Sequence, residues 1–160
     1  MATIRPFQLF DLLEYNNINL DILTETQNGT NIVQLLGKIE GDKDDCQKKT
    51  WHGHVTAITV APDSRRQGIA RFLMDYLEQV TEKYNGWFVD LFVRPSNNIA
   101  VGMYKALGYD IYQTVNKYYS SQNGKSEDGY DMRKSMKRDI QKITMKPTGK
   151  TIQPDQLEFN

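Results

Sequence analysis

The chain is poor in the residues that would tie it to an oxidising, membrane-bound or strongly charged setting. One cysteine, Cys46, cannot close an internal disulfide, so the sequence suits a reducing compartment. Neither sign of charge is in excess, with 20 Lys and Arg against 20 Asp and Glu. A balanced chain sets up no global field, which excludes a sequence-wide pull towards nucleic acid or an anionic membrane. No run approaches the roughly 18 apolar residues of a membrane span. Met1-Ala2-Thr3-Ile4-Arg5 does not open an apolar signal segment, and a cytoplasmic location is expected. Asn28-Gly29-Thr30 matches a glycosylation sequon, but in that setting it reads as a turn. There is no internal repeat, and no metal is expected. A length of 160 residues points to one domain large enough to bury a core.

What is present centres on residues 60–70, Val-Ala-Pro-Asp-Ser-Arg-Arg-Gln-Gly-Ile-Ala. The β-branched run 55–60 reads as a buried strand, and Pro62, with no N–H to give, ends it. From Ile69 the apolar positions run Ile69, Phe72, Leu73, Tyr76, Leu77 and Val80, and this spacing places them on one buried helix face. Arg65, Arg66 and the free amides of the helix start then gather at one point. With the helix dipole they make an anion site, and Gly68 lets backbone approach a bulky phosphate. No Gly-Lys-Ser/Thr follows, so this is not a nucleotide P-loop.

The rest of the chain alternates. Residues 3–7 read as a short first strand at an edge, because of Pro6, and Asp11 caps a helix. Residues 32–39 read as a strand and 40–50 as a polar surface loop. Asn85-Gly86 ends the main helix, and the nearly continuous apolar run 87–93 suits a central strand parallel to the one before the helix. Asn97 caps a second helix over 99–107, stopped by Gly108. A long strand over 109–119, a polar loop over 120–129 and a closing strand over 130–136 follow. The basic, apolar-poor residues after 138 are expected to form a mobile tail. The fold class is α/β, layered, with a mixed central sheet flanked by helices.

Arg65-x-x-Gly68-x-Ala70 after a strand resembles the acetyl-CoA pyrophosphate loop of the GNAT superfamily of N-acetyltransferases. Asn97-x-x-Ala100-x-x-x-Tyr104-x-x-Leu107-Gly108-Tyr109 is similar to the second motif of that family. Within the family, Trp51 to Ala57, Val89 to Arg94, Tyr118-Tyr119 and Tyr130 to Lys134 resemble the catalytic subunit of N-terminal acetyltransferase B (NatB). So do Tyr15 to Asp21 and the loop Leu23-Thr24-Glu25-Thr26.

The resemblance implies an acetyltransferase domain over residues 1–138 that moves acetyl from acetyl-CoA to the α-amine of proteins starting Met-Asp, Met-Glu, Met-Asn or Met-Gln. It implies a cofactor site made by Ile58, Val60, Arg65, Arg66, Gln67, Gly68, Ile69, Ala70, Asn97 and Tyr104. It implies a substrate site drawn from Glu25, His54, Thr56, Phe92, Tyr118 and Tyr119, with Tyr104 and His54 as the catalytic candidates. His54 is either a peptide contact or a relay for the amine proton, and His52 reads as surface. A period of two puts His54, Thr56, Ile58 and Val60 on one strand face. Arg133, Lys134, Lys137 and Arg138 form a basic run that reads as a solvated face.

The implied partners are peptide N-termini, a large helical auxiliary subunit and the ribosome. One departure stands out: the family's second helix and a further strand are reduced here to residues 27–36. That shortening keeps two alternatives open, a GNAT enzyme for small amines and a non-catalytic subunit.

Overall fold

The computed structural model describes residues 33–44, 47–120 and 125–157. The first strand, the helix from Asp11, the loop with Glu25 and Cys46 lie outside the described residues. The elements are β1 (Val33–Glu40), β2 (His52–Val60), α1 (Ile69–Lys83), β3 (Phe88–Val93), α2 (Asn98–Ala106), β4 (Asp110–Tyr119), β5 (Glu127–Ser135) and β6 (Thr151–Ile152). The strands form one mixed sheet in the order β1-β2-β3-β5-β4-β6. β2 and β3 are parallel and joined through α1, as the intervening helix requires. β5 enters between β3 and β4, antiparallel to both.

One face of this sheet carries the core. Val55, Val89, Leu91, Val93 and Met132 meet Met74 and Leu77 of α1 and Tyr104 of α2. α1 buries Leu73, Met74, Leu77 and Thr81, a stripe rotated from the expected one. Phe72 and Tyr76 are 53% and 54% exposed instead. The rotation has a local cause. Gly53 has no side chain, and a Cβ there would lie 2.1 Å from Thr81 Oγ1, so the helix settles directly on the strand. Thr81 tolerates that burial because its hydroxyl donates to the Leu77 carbonyl at 2.9 Å.

Two further expectations are corrected. Residues 139–157 are not a mobile tail. β6 pairs in parallel with Thr114 and Val115 of β4, Thr148 N–H donates to Tyr112 O at 2.8 Å, and Asp139 accepts from Thr144 N–H, Thr144 Oγ1 and Ser135 Oγ. The segment is held by hydrogen bonds to a sheet edge, which an apolar count does not register. The basic run is a solvated face only in part: Lys137 stays exposed, but Arg133 does not. Arg133 is buried against Asp131, Lys134 pairs with Glu78, Lys137 with Glu82, and Arg138 donates to Asn85 O while lying 4.0 Å from the Trp87 ring centroid.

Candidate active site: a parted strand pair and a basic helix start

β2 and β3 stay paired only from Gly53 to Val55 against Val89 to Leu91. β2 continues to Val60 and β3 to Val93 without further pairing to each other. The two strands therefore part beyond Val55, and the cleft between them presents a strand edge able to bond an extended ligand. A bulge marks the parting. On β1 the consecutive Leu36 and Gly37 face Ala57 and Val55, so Thr56 is the extra residue. The bulge also reverses the alternation. Val55 and Ile58, three apart, both pack on the core, whereas His54 lies on the opposite face. His54, Thr56, Ile58 and Val60 thus do not share one face, because period-two reasoning holds only in an unbroken ladder.

The helix start closes one end of this cleft. Pro62–Ser64 forms a short 3-10 turn, and Arg65 Nε donates to Val60 O at 3.1 Å. Arg66 and Gly68 are both left-handed, at φ 64° and 80°, while Gln67 between them is not. Such alternation turns successive amides towards one side. α1 has no side-chain cap and no acidic residue in its first turn, so its N-terminal amides keep their donors for an anion. Gln67 Nε2 reaches Asp63 O at 3.3 Å, which braces the turn. A Cβ on Gly68 would meet no described atom within 4 Å, so the glycine faces open space. These features fit a pyrophosphate.

Asn97 caps α2 by accepting from Ala100 N–H at 3.1 Å, so its Oδ1 is used within the fold. Tyr104, on the same helix, is 6% exposed, and burial pushes its phenol up to about 12. Tyr109 lies edge-on to it at 6.1 Å.

On the opposite sheet face an aromatic row crosses the strands. His54 lies 5.9 Å from Phe92, Phe92 stacks on Tyr118 at 4.5 Å, and Tyr118 meets Tyr119 edge-on at 5.0 Å. Arg94 covers Tyr119 at 4.2 Å and pairs with Glu127, which also accepts from Ser96 N–H. Tyr118 and Tyr119 are both half-buried and neither joins the core, because Lys117 is left-handed and the ladder shifts there. Burial raises the Tyr119 phenol, with Tyr118 and Tyr104 adding to the effect and Arg94 opposing it.

Sequence reasoning missed Asp90 and misplaced His52. Asp90 is 1% exposed and stands opposite His54 in the β2–β3 register. Its Oδ1 lies 2.8 Å from His54 Nδ1 and 3.4 Å from His52 Nε2. His52 is fully buried, stacked on Phe88 at 4.6 Å. Its Nδ1 donates to Thr50 O at 2.6 Å, so Nε2 faces the carboxylates of Asp90 and, at 3.7 Å, Glu40. Burial alone would raise the Asp90 carboxyl, but the bonds and charges of the two imidazoles hold it far below the usual range. Burial likewise opposes a charge on His52. The Asp90 bond and charge, the Thr50 carbonyl and Glu40 outweigh it, and the His52 pKa is raised. The signal available in the sequence was an acid in an otherwise apolar strand, Val89-Asp90-Leu91.

Glu40, His52 and His54 bring ligand atoms within 4.8 Å of one another. Nδ1 of His52 and of His54 face oxygens that only accept, Thr50 O and Asp90 Oδ1, so those nitrogens carry protons, and a metal needs lone pairs. The cluster is held by protons.

A raised His52 pKa makes stability depend on pH in one direction. The contribution is fully present below about pH 6.5 and is lost as pH rises through the raised folded value. His52→Gln is expected to lower Tm by about 5–10 °C near pH 6, from the loss of a charged buried bond. That gap should narrow as pH rises, and a gap constant from pH 6 to 9 in a thermal melt would contradict the assignment.

The Acetyltransferase (GNAT) family model matches residues 10–109. The catalytic subunit naa20 of the Schizosaccharomyces pombe N-terminal acetyltransferase B complex is 46% identical, covering 95% of each chain. That alignment runs over 172 positions, more than the 160 residues present here, so the relative carries residues with no counterpart in this chain. Among solved structures, Chaetomium thermophilum Naa20 in complex with a bisubstrate analogue superposes with a TM-score of 0.70 at 37% identity, over 94% of this chain and 86% of that one. A NatB acetyltransferase complex bound to a bisubstrate inhibitor superposes at 0.75 with 32% identity, over 99% and 100%.

The chain that carries the parted strand pair, the uncapped basic helix start and the capped second helix belongs to the GNAT family of acetyltransferases. Within that family it is an acetyl-CoA-dependent N-terminal acetyltransferase of the NatB catalytic-subunit type.

Proposed function

We propose that this chain acetylates the α-amine of proteins that keep Met followed by Asp, Glu, Asn or Gln. The observation that carries this reading is the row His54–Phe92–Tyr118–Tyr119 crossing the sheet beside the point where β2 and β3 part. Phe92 and Tyr118 offer an apolar wall for a Met side chain. Thr56, exposed on its bulge, offers a polar contact to the second residue, and the ring of His54 faces the α-amine of the peptide. Tyr119, steadied by Arg94, offers its hydroxyl to the peptide backbone. Glu25 contributes from the substrate loop.

On the cofactor side, Arg65, Arg66, Gln67 and the amides of Gly68, Ile69 and Ala70 hold the pyrophosphate. The parted edge of β2 at Ile58 and Val60 bonds the pantetheine amides, and the same edge supplies N–H donors to the oxyanion. Asn97 has only its Nδ2 to give, because Oδ1 serves the helix cap. Acetyl-CoA supplies the activated acyl group. The residues of the chain orient the amine, accept its proton and donate to the departing sulfur through Tyr104.

Among the described residues no helix is long and apolar enough to cross a membrane. We place the enzyme in the cytoplasm, with peptide N-termini as substrates and a large helical auxiliary subunit as partner, working at the ribosome. The exposed Phe72 and Tyr76 of α1 are available for such a partner.

The test is acetyl transfer to peptides starting Met-Asp and Met-Glu against peptides starting Ser or Ala, with the auxiliary subunit present. Preference for the Met-acidic peptides by at least about tenfold is expected, which corresponds to about 1.4 kcal/mol. Equal rates, or activity only on small amines, would overturn the substrate class. Binding of acetyl-CoA without turnover would leave a non-catalytic subunit.

A further inference from the structure

We infer that Asp90 is a positioning residue that makes His54 the acceptor of the α-amine proton. This rests on the placement of the peptide N-terminus beside His54. A carboxylate only accepts hydrogen bonds, so the 2.8 Å contact places the proton of His54 on Nδ1. The neutral ring then carries its lone pair on Nε2, and among the described residues none takes up that atom. Register fixes the pairing, since His54 and Asp90 are directly opposed on parallel strands. The ring is steadied from the side by Phe92.

The other charged and titratable groups facing the ring are Glu40 of β1, at 3.8 Å from Nδ1, and His52 of β2, whose ring centroid is 6.5 Å away. Across the sheet, Tyr118 of β4 reaches the ring only through Phe92. His52 Nε2 lies 3.4 Å behind the Asp90 carboxylate, and its charge helps to keep that group ionised.

In the step itself the amine nitrogen bonds to the acetyl carbon and the C–S bond breaks. His54 Nε2 takes the proton the amine loses, and the Tyr104 hydroxyl donates a hydrogen bond to the leaving thiolate, which takes its proton from solvent. Asp90 stabilises the imidazolium that forms. The arrangement is a base oriented by a buried acid, as in hydrolytic triads, applied to an amine nucleophile.

Asp90→Asn tests this in the complex with the auxiliary subunit. Asparagine removes the charge that stabilises the imidazolium, and its amide can donate to Nδ1 and reverse the tautomer. We expect kcat to fall about 10–100-fold, at or below the usual range for a positioned base, because an α-amine of pKa about 7.7–8.0 is partly neutral already. KM for peptide and for acetyl-CoA should stay within about twofold, and the deficit should shrink from pH 7 to 9 as the amine becomes neutral without help from a base. An unchanged kcat, or a loss equal at every pH, overturns the inference.

Should the variant fail to fold, the 15N shifts of the His54 imidazole in the wild type decide the matter. A proton on Nδ1 with a free Nε2 supports the inference, and a proton on Nε2 at the pH optimum overturns it. Wild-type enzyme that ignores Met-starting peptides would instead overturn the substrate reading, while the imidazole shifts would still report the tautomer.

Discussion

Gly68→Ala is expected to raise the acetyl-CoA KM about a hundredfold while costing only a few degrees of thermal stability. Gly68 is the N-cap of α1 at φ 80°, a conformation that costs an alanine about 1–2 kcal/mol. For a chain of this size each kcal/mol moves Tm by about 2–4 °C. Nothing described lies within 4 Å of the new methyl group, so the fold itself is not obstructed. The methyl instead stands in the space before the uncapped amides of the helix start. Losing or lengthening two charge-assisted bonds there costs about 3 kcal/mol, which is roughly two powers of ten in affinity. The kcat at saturating acetyl-CoA should hardly change, because the pyrophosphate is bound equally in ground and transition states. Steady-state kinetics with acetyl-CoA varied, beside a thermal melt, reads both numbers. An unchanged KM would remove the helix start from cofactor binding.

Local features were readable and pairing features were not. Pro62, the Arg65 to Ala70 loop, the Asn97 cap and the Gly108 stop act within a few residues, and each appears where its chemistry demands. The bulge at Thr56 depends on how β1 lies beside β2, and no alternation within β2 announces it. It nonetheless decides which face His54 occupies. His52 looked like surface because the groups that bury it lie far away in sequence. Phe88, Asp90 and Glu40, between 12 and 38 residues away, supply a ring to stack on and charges to offset burial. Phe72 and Tyr76 satisfied the helix period, yet Thr81, polar but self-bonded, took the buried place opposite Gly53. The strand at Thr151 was hidden for a related reason, since its partners are backbone groups of β4. Where the stabilising group is a distant backbone or a buried charge, side-chain composition carries little of the signal.

Tyr104→Phe is expected to lower kcat by about a hundredfold, with acetyl-CoA affinity unchanged within about twofold. Phenylalanine keeps the ring that packs in the core cluster and against Tyr109, so the melt should move little. Only the hydroxyl goes. With its pKa pushed up to about 12 by burial, that hydroxyl is protonated at any working pH, which makes it a donor and never a base. A donor matters most where negative charge develops late, on the sulfur that leaves as the amide forms. The loss therefore falls on kcat and on kcat/KM alike, as for an interaction made only in the transition state. Single-turnover kinetics separates the cases. A variant as fast as wild type would take Tyr104 out of the mechanism, and a raised KM at full kcat would make it a binding group for the thioester arm.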